Sequence, residues 1–150
     1  MVGLRAAGGS VIVMLLTTAP VAAQQPTPAG HIKVATGGAY IVRQNASIPA
    51  KPGDAVFATD TLRTQANGVI GVTLADDTRV SLGPDSEMRL ERYVFAPADG
   101  ALGMVLHFVR GVAAYVSGRM AKLSPEAVRL ETPAAIVGVR GTTVAIKVGS

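Results

Sequence analysis

The chain has 150 residues, enough for one domain with a real core and too few for two ordinary ones. It holds no cysteine, which excludes a disulfide framework, a thiolate nucleophile and a cysteine-built zinc site. Its 14 basic and 10 acidic residues leave a formal +4, but aromatics make up only 4 %, so base stacking is poorly supplied and nucleic acid is not an expected partner. The excess fits a solvated surface first, and anionic glycans or lipid headgroups second.

Residues 1–23 have the order of parts of a secretory signal peptide. Arg5 is the positive end, Val11–Leu16 the apolar run, and small residues fill the −3 and −1 positions of a cut after Ala23. The rival reading is a retained membrane anchor. A spanning helix needs about 20 apolar residues, and Gly8, Gly9 and Pro20 interrupt this run. The expectation is therefore an exported, periplasmic domain, touching membrane only if the leader stays uncleaved. Residues 24–30, with Pro26 and Pro28, form a linker that cannot continue a helix.

From 31 to 150 the texture is period two, with turn residues between runs. Ala39–Arg43 follows a Gly-Gly break, and Gly53-Asp54 sits in a turn after Pro52. Val69–Leu74 puts Ile70, Val72 and Leu74 on one face. Asp76-Asp77 forms a hairpin tip, where aspartate tolerates left-handed backbone. Arg79–Leu82 returns with Val80 and Leu82 inward, Gly83-Pro84 turns, and Glu87–Glu91 places Met88 and Leu90 inward. A break at residues 96–100 precedes Met104–Arg110 and Val112–Val116, which flank Gly111. Only residues 117–127 offer a helical turn, started by Ser124-Pro125. Val128–Glu131, a Thr132-Pro133 step and Thr143–Val148 close the chain.

These signals predict an all-β fold of about ten short strands, an antiparallel sandwich of jelly-roll or similar Greek-key arrangement. No long amphipathic helix is present, so parallel β-α-β topology is not expected. The register of Glu87–Glu91 is well fixed, because a slip by one residue buries Arg89 and exposes Met88 and Leu90.

Several motifs recur in a set order: Gly53-Asp54, Leu62–Thr64, Val69–Leu74, Asp76–Thr78, Val80–Ser86, Leu106–Gly111, Thr132–Ala134 and Val139–Thr142. Together they resemble the FecR-type domain, from about Lys33 to Val148. The resemblance implies a β-rich module of bacterial cell envelopes. The best-known members regulate iron-uptake sigma factors through a cytoplasmic segment ahead of a membrane helix. Here about five residues precede the hydrophobic run, too few to grip a sigma factor. The fold is expected to transfer and the sigma-regulating role is not, although a membrane-anchored regulator stays an alternative.

Candidate sites are few. Arg140, beside Gly141 and Thr142, has a planar fork suited to a carboxylate or phosphate. The competing reading has Arg140 bonding carbonyls, Gly141 at positive φ and Thr142 bonding locally. Gly53, Asp54, Asp76, Asp77, Gly83, Pro84, Thr132 and Pro133 read as structural turn residues. His31 and His107 are the only histidines, with no zinc-ligand spacing, and the serines lack a nucleophile-elbow setting. No enzyme, cofactor or metal is expected. The expected function is a non-catalytic envelope module that binds or scaffolds another protein, with peptidoglycan or an anionic glycan as the alternative ligand.

Overall fold

A computed structural model describes residues 3, 8–20, 26–139 and 143–149. Val11–Leu16 are exposed and lie in a stretch, 8–20, without helix or strand. Among the described residues no helix is long and apolar enough to cross a membrane.

The rest is mostly antiparallel β-structure. The strands are β1 (Gly30–Thr36), β2 (Ala39–Arg43), β3 (Ala46–Pro49), β4 (Ala55–Val56), β5 (Thr61–Thr64), β6 (Val69–Leu74), β7 (Arg79–Leu82), β8 (Glu87–Ala96), β9 (Ala101–Val116), β10 (Val128–Glu131), β11 (Ile136–Gly138) and β12 (Thr143–Val148). The order along the sheet is β3-β2-β5-β8-β9-β7-β6-β1-β4, with β10 and β12 also on β9 and β11 on β10. The all-β expectation holds. The two layers are halves of one curled sheet rather than separate sheets.

β9 makes the curl. Its first part, Ala101–Arg110, pairs with β8, and its last part pairs with β7 on one side and β12 on the other. Sixteen residues of strand extend about 50 Å, more than one layer of a small domain needs. The strand bends at Gly111, whose φ is +89°. The sequence presents Gly111 as a break between two strands; the ladder instead runs through it, because glycine changes direction there without a Cβ to obstruct.

The period-two pattern fills the space between the layers. Ile70, Val72, Leu74, Val80 and Leu82 from one layer meet Leu62, Met88, Leu90, Leu106 and Phe108 from the other, all buried in one cluster. Each such aliphatic contributes about 1.5–3 kcal/mol through burial, so the alternation sets the register.

One pair departs from the expectation. β10 runs parallel to β9, with Leu130 opposite Leu106 and Glu131 opposite His107. The chain leaves β9 at Val116, passes through a short helix α1 (Arg119–Leu123), and returns beside the first part of β9. A crossover of this kind was not expected without an amphipathic helix. Here α1 is only five residues long; its Met120 is buried in the core and Ala121 packs against it partly buried.

Candidate functional site

The β7–β8 turn, Gly83-Pro84-Asp85, packs against the bend of β9. Thr64 and Ser86, both buried, hold it there. The Thr64 hydroxyl donates to the Gly83 carbonyl at 2.6 Å and accepts from the Ser86 amide at 2.9 Å. The Ser86 hydroxyl accepts from the Val112 amide at 2.9 Å and lies 3.0 Å from the carbonyls of both Pro84 and Val112. The Gly83 amide donates to the Val112 carbonyl at 2.9 Å. A Cβ on Gly111 would stand 2.5 Å from Ser86 Cα and 2.6 Å from the Asp85 carbonyl oxygen, so this approach requires glycine.

Beside the staple lies an open cavity of 590 Å³, lined by Pro84, Asp85, Arg110, Gly111, Val112 and the end of β12 at Lys147, Val148 and Gly149. Arg110 and Lys147 outnumber Asp85, giving the cavity a positive balance. Among the described residues β12 pairs only with β9, so its other side is an open edge. Arg140, Gly141 and Thr142, the proposed corner, lie outside the described residues. Their flanks are placed: Gly138 pairs with Arg129, Val139 is buried, and Thr143 pairs with Val116.

Residues 60–150, more than half of the chain, match the family described as FecR protein. The chain belongs to the FecR family. This makes it a module related to envelope signalling and regulation. No curated protein and no solved structure matches the chain. Within the FecR match lie β5 to β12, the turn, the cavity and the open edge; β1 to β4 precede it.

The remaining turn residues of the FecR chain are spread over the molecule. Gly53 has φ +93°, and the Asp54 carboxylate accepts from the Lys51 amide at 2.9 Å. The Thr132 hydroxyl accepts from the Ala135 amide at 3.1 Å in the β10–β11 turn, beside Pro133. Asp77 is exposed at the β6–β7 tip with φ +69°.

Asp76, its neighbour, is fully buried. Its carboxylate accepts from the Tyr93 hydroxyl at 2.9 Å, the Thr78 hydroxyl at 2.8 Å and the Met120 amide at 3.1 Å. Its own amide donates to the Tyr93 oxygen at 2.9 Å. This network ties the hairpin tip to β8 and α1. Burial first, and then the Asp76 charge, push the Tyr93 phenol well above its ordinary range. Burial likewise raises Tyr115. Asp60, also buried, accepts from Arg43 through both oxygens, at 2.9 and 2.7 Å, and from the Phe57 amide. These carboxylates are absorbed by structure.

On the outer face of the other layer, ligand atoms of Glu91, His107 and Glu131 lie within 4.8 Å of one another. Period-two alternation turns Glu91 outward but does not name its neighbours; they come from the β8–β9–β10 register, including the unforeseen parallel pair. His31 is exposed on β1, in the layer opposite His107.

Proposed function

We propose that this FecR domain is a non-catalytic module of the periplasm that binds an extended segment of another envelope protein along the β12 edge. The observation that carries this is the edge itself: six residues that, among the described residues, are paired on one side only, inside the family-matched part of the chain. An exposed strand edge offers main-chain donors and acceptors that a partner strand satisfies. Of the other outer strands, β3 has four residues and ends at Pro49, which blunts an edge, and β4 and β11 have only two and three residues. The polar groups support a binding rather than catalytic role: Ser86, Thr64, Asp60 and Asp76 are engaged in holding turns. The leader supports export, and the exported product is expected to begin at Gln24, which N-terminal sequencing checks; a product retaining Met1 contradicts cleavage.

Affinity capture from envelope extracts tests the binding. A discrete protein is expected to stay bound in about 0.5 M salt, because strand pairing is not screened as surface charge is. Extracts that give nothing above background contradict it.

A second reading has its own observation. The cavity carrying Arg110 and Lys147 suits an anionic glycan such as peptidoglycan. Co-sedimentation with sacculi at low salt, lost in an Arg110→Ser, Lys147→Ser double variant, supports it. Failure to co-sediment at low salt eliminates it, since screening is weakest there.

A further inference from the structure

We propose that Glu91, His107 and Glu131 form a binding site for a divalent first-row transition cation on the outer face of β8, β9 and β10. The register assembles it. Glu131 stands directly opposite His107 across the parallel β9–β10 pair. On the other side, Leu90 faces Leu106 and Arg92 faces Val105, which leaves Glu91 as the extra residue of a bulge. Bulges re-aim a side chain out of the regular pleat, and here the Glu91 carboxylate joins the other two groups within 4.8 Å.

A second observation points to a ligand. The Nδ1 atom of His107 is buried and makes no hydrogen bond among the described residues, although it lies 3.5 Å from Glu131 Oε2. Buried polar atoms are ordinarily satisfied, and a metal ion is one way to satisfy an imidazole nitrogen that has one carboxylate 3.5 Å away and belongs to a ring clustered with a second. One imidazole and two carboxylates give the mixed nitrogen and oxygen set, with charge to neutralise a dication, that suits zinc-like ions better than calcium. Zinc bonds to such donors are about 2.0–2.2 Å, so the three atoms must close slightly, which rotation of two long carboxylate side chains provides. Solvent occupies the remaining coordination positions, leaving the site open.

Neighbouring arginines act against the ion. Arg129 Nη1 lies 3.6 Å from Glu131 Oε1, leaving Oε2 toward His107, and Arg89 is the cross-strand neighbour of His107. Removing Arg129 should therefore tighten binding, whereas removing a ligand weakens it. The competing explanation is an ion pair between a protonated imidazole and two carboxylates, which binds no metal.

Calorimetric titration of the full chain with Zn²⁺, without a polyhistidine tag, decides between them; Co²⁺ absorption gives an independent spectroscopic readout. The expected result is saturable 1:1 binding, weakened at least about tenfold in His107→Gln and in Glu91→Gln. Binding is expected to be unchanged in His31→Gln and tighter in Arg129→Ser. Circular dichroism verifies folding, and Glu91→Gln, at an exposed bulge position, serves alone if His107→Gln fails to fold. No saturable Zn²⁺ binding, or equal affinity in the folded ligand variants, overturns the proposal.

Discussion

Two adjacent aspartates at the β6–β7 tip do opposite work. Asp76→Ala leaves the Tyr93 hydroxyl, the Thr78 hydroxyl and the Met120 amide without their acceptor. Each abandoned buried donor costs about 1–3 kcal/mol, so a loss of about 3 kcal/mol or more is expected in urea unfolding. Asp77→Asn is expected to change stability by less than about 0.5 kcal/mol, because asparagine tolerates the left-handed backbone and the exposed Arg119 pair is weak. Equal losses in the two variants would contradict this division of roles. Local turn chemistry makes Asp77 legible in the sequence. The burial of Asp76 is not legible, because Tyr93 and Met120, two of its partners, lie 17 and 44 residues away.

Tyr93 gives the network a pH signature. Its phenol is raised in the folded state, so folding favours the protonated form. The associated stability is present below the unfolded phenol value of about 10 and is lost as pH rises from there toward the folded value. Tyr93→Phe should reduce this alkaline loss, and denaturant midpoints measured between pH 8 and 11, a window set about the ordinary phenol value, check it. Identical alkaline slopes in the two proteins would contradict the assignment.

At the level of elements, β9 unites the molecule. Gly111→Ala adds a Cβ at φ +89° against the Asp85 carbonyl and Ser86 Cα, so it strains the backbone and disturbs the Thr64–Ser86 staple. A loss of about 2–4 kcal/mol is expected in denaturant unfolding; a variant as stable as the parent would show that the bend does not depend on glycine. The alternation of Val69–Leu74, Arg79–Leu82 and Glu87–Glu91 was readable because one face of each is buried and the other is wet. β4 and β11, with two and three residues, are too short for a period to register, and β3 is exposed along its whole length, so it has no buried face to alternate with. The parallel placement of β10 was hidden for another reason: it depends on where α1 returns the chain, and no local pattern encodes that.

For the whole molecule, the family match covers β5 to β12, yet the core is completed by Ile32 and Ile41 from β1 and β2. The structure is thus one body, and the two longer of its outer strands, β3 and β12, are dissimilar margins. β3 is short, exposed and ends in proline, whereas β12 carries Val144, Ile146 and Val148 on the face toward the core and lies beside a cationic cavity. Motif order was enough to identify the family from the sequence. The open edge was not legible, since an edge is a property of strand order.

In-cell photo-crosslinking compares the margins directly, with the probe placed in turn at Ala145 on β12 and at Ser47 on β3. Both residues are exposed, so access to solvent does not bias the comparison. The expected result is a discrete higher-mass adduct from position 145 that is absent from position 47. No adduct from 145, or the same adduct from both positions, would contradict partner binding along the β12 edge.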